Sequence, residues 1–151
     1  MRRRLPASMS LPGRSMATAA DGRLVHVSPG FAEDFAVVDT AAPGPSVDEP
    51  VDGWDGIEAA LVLGIRDYAA KCGFERVHLG LSGGIDSALV ATLAVEALGS
   101  ERVAVFGMPS RYSSPGSVTD ARDLADALGL PLALLPIEGP FTAHLRTLEG
   151  V

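Results

Sequence analysis

Gly80-Leu81-Ser82-Gly83-Gly84-Ile85-Asp86-Ser87 links an apolar run, residues 77–81, to a stretch of helical composition, residues 85–98. That pattern predicts a strand, a glycine turn and a helix in succession. Backbone N–H groups at a helix start lack intrahelical acceptors and carry the positive end of the macrodipole, so they attract anions. Gly83 and Gly84 add no side-chain bulk, so a phosphate could approach the backbone closely. Ser82 and Ser87 bring hydroxyl donors. No Gly-Lys-Ser/Thr follows, so the turn is not a Walker A loop. With no lysine at hand, phosphate charge has to be met by amides, hydroxyls and a divalent metal. Asp86 is the only carboxylate in the turn, and magnesium takes hard oxygen ligands, which makes Asp86 the candidate metal ligand. The bland alternative is a glycine-rich turn with an ordinary aspartate at a helix start.

Outward from the turn, residues 103–106 and 132–135 are further apolar runs, as parallel strands covered on both faces require. Helical stretches separate the three strands. One covers residues 86–98 and stops at Gly99. The other opens at Ser117-Val-Thr-Asp120, a capping-box spacing, and stops at Gly129, with Val118, Ala121, Leu124 and Leu128 on its core face. This βαβαβ order predicts an α/β fold with a doubly wound parallel sheet. Ligands in such sheets bind at the carboxyl ends of the strands, so residues 80–87 and the loop 108–115 should face one pocket. In that loop Arg111, Ser113 and Ser114 are candidates for nucleotide and phosphate contact, and Met108 lies beside them. Residues 140–148 could start one more helix.

Upstream, residues 22–27 alternate polar and apolar side chains, and residues 35–39 form a second short strand candidate, so the pair is expected as a hairpin. Residues 1–21 read as a disordered leader and 41–52 as a proline- and glycine-rich linker, with the α/β unit over 53–151. Asp55-Gly-Ile-Glu58 has capping-box spacing, and Ile57, Leu61, Ile65, Tyr68 and Cys72 recur as an amphipathic stripe expected to face a core, ending at Gly73. Cys72 is then a small core residue rather than a catalytic thiol. His26, His78 and His144 have no carboxylate partner in view and read as structural.

Composition narrows the function classes. Twelve Lys plus Arg stand against nineteen Asp plus Glu, a net charge of −7, which argues against a nucleic-acid-coating protein. No apolar run approaches the ~20 residues needed to cross a bilayer. A lone cysteine permits no intrachain disulfide and fits a reducing, cytoplasmic setting.

At this point a family comes into view. Ser82-Gly83-Gly84-Ile85-Asp86-Ser87 resembles the SGGxDS pyrophosphate loop of the N-type ATP pyrophosphatases, whose fold is adenine nucleotide alpha hydrolase-like. Residues 79–91 followed by Met108-Pro-Ser-Arg-Tyr-Ser-Ser114 are similar to the synthetase domain of glutamine-dependent NAD synthetases, and Leu135-Pro-Ile-Glu138 with Phe141 resembles that family's next strand and helix. Residues 21–25 and 33–39 resemble the last hairpin of the family's nitrilase-like glutaminase domain. The resemblance implies ATP as substrate with Mg²⁺, deamido-NAD as acceptor, glutamine or ammonia as nitrogen source, and a homo-oligomer. It implies that Gly80, Leu81, Ser82, Gly83, Gly84, Ile85, Asp86 and Ser87 hold ATP and pyrophosphate, with Asp86 on the metal and Met108 near the adenosine. No protein nucleophile is needed, so no catalytic side chain is assigned. The family's glutaminase triad and later strands have no counterpart in these residues, so the resemblance is to an internal piece of a longer enzyme, one strand of which would be left with an unpaired edge. A nucleotide-binding but inactive piece, another N-type pyrophosphatase such as a GMP synthetase, or a plain structural α/β domain are the alternatives.

Overall fold

The computed structural model describes residues 13–48, 50 and 53–150. The chain divides into two compact units between Tyr68 and Ala69.

In the first unit, β1 (Met16–Thr18) pairs antiparallel with β2 (Leu24–Val27), with Met16 opposite Val27 and a bulge between Ala17 and Thr18. The turn between them is closed by the Gly22 amide on the Ala19 carbonyl at 2.9 Å, with Gly22 at φ 87°. Arg23 beside it donates to Asp21 at 2.7 Å, which holds that carboxyl below its ordinary range. The expected hairpin is therefore corrected. Its second strand is β1, inside the stretch read as a leader, and residues 35–39 form no strand. Phe35 and Val37 stand exposed there, so that apolar segment is not covered by the described residues. Residues 1–12 lie outside the described residues, as do 49, 51 and 52 of the linker; residues 41–48 form no helix or strand.

Helix α1 (Gly53–Cys72) runs through the boundary between the units. It begins before the expected cap, so Asp55 sits within its first turn. Its buried positions are Gly56, Val62 and Ala69, whereas Ile57, Leu61, Tyr68 and Cys72 are exposed. The helix is apolar on more than one side, and periodicity alone could not say which side is covered. It stops where expected: Gly73 adopts φ 72°, its amide reaches the Ala70 carbonyl at 3.2 Å, and the Phe74 amide reaches that of Ala69 at 2.9 Å. These are the paired bonds of a left-handed helix stop, which needs glycine.

The second unit is a mixed α/β fold. Strands β3 (Val77–Gly80), β4 (Val103–Gly107) and β5 (Leu132–Leu134) form a parallel sheet in the order β3-β4-β5. Each lies within one residue of its predicted bounds. β4 is central, with Val103 and Val105 fully covered. Helices α2 (Ile85–Leu98) and α3 (Pro115–Leu128) make the two crossovers. Both step the same way across the sheet, so right-handed connections put them on one face, and they pack against each other. Ala91 and Ala94 of α2 and Ala121 and Ala125 of α3 are buried. Gly129 at φ 66° ends α3 with the same double stop as Gly73. Helix α4 (Glu138–Leu148) follows, two residues ahead of its expected start. Arg102 ties the sheet's entry edge by donating to the carbonyls of Phe74 and Glu75, each at 2.8 Å. No helix among the described residues is long and apolar enough to cross a membrane.

Candidate functional site

The sheet's strands all point their carboxyl ends at one region, and β3 leaves the ladder there. The Leu81 amide makes a last bond to the Phe106 carbonyl at 2.9 Å, and Leu81 itself is buried. From Ser82 the chain turns sharply into α2. Gly83 adopts φ 78°, a conformation that side chains disfavour. A Cβ there would also lie 2.2 Å from the Ser117 carbonyl oxygen and 2.7 Å from the Ser117 Cα. Glycine is thus required twice over, once for the backbone angle and once for contact with the start of α3. Gly84, the residue before α2, is ordinary extended backbone at φ −91°, ψ 156°.

The two serines hold the turn shut. The Ser87 hydroxyl donates to the Gly84 carbonyl at 2.9 Å. A hydroxyl has one proton, so in the 3.0 Å contact between Ser82 Oγ and Ser87 Oγ the donor is Ser82. The amides of Ser82 and Gly84 in turn donate to these oxygens, at 3.2 and 3.3 Å. Both hydroxyl protons are therefore spent inside the turn. The donors left for an incoming anion are the amides of Ile85, Asp86 and Ser87, which precede the first helical bond, Ala88 to Gly84 at 3.1 Å. Asp86 and Ile85 project outward and are exposed at this helix start. Among the described residues no group of three His, Cys, Asp or Glu side chains stands together. A dedicated metal cage is therefore not what Asp86 supplies. A single carboxylate does fit magnesium that arrives with phosphate and keeps several waters.

Beside the turn lies a cavity of about 350 Å³, within the range of small-molecule sites. Gly80 at the end of β3 and Leu81 and Ser82 after it line the cavity, as do Phe106 and Gly107 of β4 with Met108, Pro109 and Ser113 of the following loop. Ser117, Val118 and Ala121 of α3 with Leu134 and Ile137 complete it. The lining is largely apolar, which suits a flat heteroaromatic group. Gly80 and Gly107 let its wall residues pack against the strand backbone: a Cβ at Gly80 would meet Met108 at 3.1 Å, and one at Gly107 would meet Leu134 at 2.6 Å.

The two loops converge as the sequence predicts, but their residues divide. Gly80, Leu81, Ser82, Met108 and Ser113 line the cavity, whereas Gly83, Gly84, Ile85, Asp86 and Ser87 form the turn at its rim. Arg111 and Ser114 are elsewhere. Arg111 forks onto Glu138, its Nε donating at 2.8 Å and its Nη2 also in contact, and it lies over the Phe141 ring at 5.5 Å. The hydrogen bonds of this pair pull the Glu138 carboxyl below its ordinary range and raise the guanidinium. Ser114 caps α3: its Oγ accepts from the Ser117 amide at 3.1 Å. The cap expected at Ser117 is thus corrected to Ser114, with Pro115 in the first helical position, where its missing N–H costs nothing. His78 stacks edge-on to Phe106 at 5.8 Å, and His144 bonds the Pro140 carbonyl at 2.9 Å, both away from the turn. The residues that sequence reasoning missed are the apolar liners Phe106, Val118, Ala121, Leu134 and Ile137; the available signal was their place at strand ends and on the α3 core face.

Comparison with known proteins identifies the family. The NAD synthase family model matches residues 57–150. The glutamine-dependent NAD(+) synthetase of Synechocystis sp. is 44% identical over 137 residues, covering 87% of this chain and 24% of that protein. That of Thermotoga maritima is 52% identical over 92 residues, 61% of this chain and 16% of that protein. Among solved structures, glutamine-dependent NAD+ synthetase from Acinetobacter baumannii in complex with adenosine diphosphate superposes with a TM-score of 0.77 at 35% identity, covering 85% of this chain and 25% of that one. The chain spans about a quarter of the length of the curated relatives that it matches over most of its own.

Proposed function

The chain belongs to the NAD synthase family, and on that footing we propose that it carries the phosphate-gripping part of an ATP-dependent amidation of deamido-NAD to NAD. The observation that supports this best is the turn at residues 82–87. It presents three helix-start amides and one outward carboxylate beside an apolar cavity at the carboxyl ends of parallel strands. The A. baumannii relative was solved with adenosine diphosphate, whose adenine and phosphates match those two environments in kind.

In the proposed reaction a carboxylate oxygen of deamido-NAD attacks the α-phosphorus of ATP. The bond between the α-phosphorus and the bridging oxygen breaks, and pyrophosphate leaves with the electron pair. Ammonia then attacks the acyl carbon of the adenylate, the carbon–oxygen bond to phosphate breaks, AMP leaves, and the nitrogen's surplus proton goes to solvent. Glutamine is the ammonia source implied by the relatives' name.

The chain's own residues bind and orient. The amides of Ile85, Asp86 and Ser87, with the α2 dipole, meet the negative charge of the β- and γ-phosphates, which grows as pyrophosphate departs. Gly83 lets the phosphates close on the backbone. Ser82 and Ser87 hold the turn's shape. The adenine would occupy the apolar cavity against Met108, Val118 and Leu134, with Ser113 at its edge. Asp86 would hold magnesium borne by the phosphates, which supplies charge neutralisation of the leaving group. No side chain forms a covalent bond, so rate comes from positioning and fixed dipoles.

The test is pyrophosphate release with ATP, Mg²⁺, deamido-NAD and ammonia, alongside calorimetric binding of MgATP. Turnover that disappears in Asp86→Ala supports the proposal. Binding without turnover would limit the chain to nucleotide binding, and the absence of both would refute the reading.

A further inference from the structure

The phosphate turn does not stand alone. Gly83 rests on the backbone of Ser117: the space a Cβ would take at Gly83 is filled by the carbonyl oxygen, Cα and carbonyl carbon of Ser117, at 2.2, 2.7 and 2.8 Å. The position of Ser117 is set in turn by Ser114. Its Oγ accepts from the Ser117 amide at 3.1 Å and lies 2.8 Å from the Ser117 hydroxyl. Ser114 is thus two contacts away from the turn and outside the cavity lining. Its hydroxyl is occupied by the helix start.

We infer that Ser114 is a positioning residue for the phosphate turn, acting through the Ser117 backbone on Gly83 rather than by touching the nucleotide. The cap holds the first turn of α3, and the first turn of α3 is the surface that fixes the geometry of Gly83. Loss of the cap lets Ser117 fray outward. Gly83 then loses its support, and the three amides that follow it lose their common aim. The start of α3 also lines the cavity through Ser117 and Val118, so one cap serves both the phosphate and the ring environments. The inference rests on the reading of residues 82–87 as a phosphate turn.

The experiment uses this chain with Ser114→Ala, which removes the cap, and Ser114→Asn, which retains one because asparagine caps as well as serine. Two readouts are taken: the Gly83 and Gly84 amide resonances in a ¹⁵N-labelled sample, and calorimetric affinity for magnesium pyrophosphate. A serine cap is worth about fivefold in the equilibrium of a first turn. Ser114→Ala is expected to move both glycine resonances and weaken pyrophosphate by about that factor, and Ser114→Asn to restore both. Glycine resonances that stay in place while changes are confined to residues 115–117 would overturn the inference. Affinity that Ser114→Asn fails to recover would also overturn it, by pointing to direct contact between the hydroxyl and phosphate. Resonances that respond in a protein that binds no magnesium pyrophosphate would support the coupling and refute the phosphate reading on which its purpose rests.

Discussion

Replacing Gly83 by alanine puts the account of the turn under the most strain. The new methyl would lie 2.2 Å from the Ser117 carbonyl oxygen, where ordinary contact begins near 3.4 Å, so about 1.2 Å of relief is needed. None of the obstructing atoms is the end of a flexible side chain; all belong to the α3 backbone. Left-handed backbone costs a non-glycine residue about 1–2 kcal/mol, and overpacking adds about 1–3 kcal/mol. Partial relaxation brings the expected loss to about 2–4 kcal/mol, a large share of the 5–15 kcal/mol that holds a typical domain together. Gly84→Ala is the control. Gly84 has ordinary extended angles, and its Cβ would meet only the Ser82 hydroxyl at 3.4 Å, so the cost should stay below about 1 kcal/mol. Urea unfolding followed by circular dichroism measures both. Because the relief moves the amide cradle by about an ångström, Gly83→Ala should also weaken magnesium pyrophosphate by up to about a hundredfold. Equal, small effects from the two alanines would refute the claim that Gly83 is wedged against α3.

Three further outcomes follow from the structure. Glu138 is depressed by its bond to Arg111, so the stability it contributes is present above the ordinary glutamate range and is lost as pH falls through its lowered folded value; acidification through and below that range should lower the melting temperature of the wild type more than that of Glu138→Gln. Val105 is fully buried in the central strand, so Val105→Ala should cost about 2 kcal/mol in the same urea experiment. Cys72 is exposed, so it should react with a thiol reagent in the folded chain within about tenfold of its rate in urea, whereas strong protection would restore the core assignment read from its spacing.

Much of the second unit could be read from the sequence. The runs around Val77, Val103 and Leu132 are short, apolar and bounded by turn residues, and parallel strands covered by helices leave that signature. The glycine stops at Gly73, Gly99 and Gly129 marked three helix ends because a positive φ selects for glycine locally. What failed depended on tertiary context. The α3 start is the exception: it offered two serines three residues apart, and Pro115 directly after Ser114 was the local signal that favours the first as the cap. On α1 apolar residues line several sides, so the stripe through Ile57 and Leu61 reads as a core face although both are exposed, and Val62 and Ala69 are the buried apolar positions. The partner of β2 is a three-residue strand with a bulge, too short to carry a periodic signal. The shape of the turn at residues 82–87 was legible in its glycines, because a positive φ such as that of Gly83 selects for glycine. The cavity wall was not, since Phe106, Val118 and Leu134 look like any core residue. Arg111, a fixed cation near a pocket, suggests phosphate from the sequence, and in the structure its guanidinium forks onto Glu138.

The most direct test of the central claim is titration calorimetry of magnesium pyrophosphate into the wild-type chain and into Asp86→Ala, each repeated with the metal chelated. The account predicts saturable binding by the wild type that weakens on chelation, and Asp86→Ala binding no tighter with metal than the wild type does without it. Wild-type binding that ignores both the metal and Asp86, or no binding at all, would contradict it.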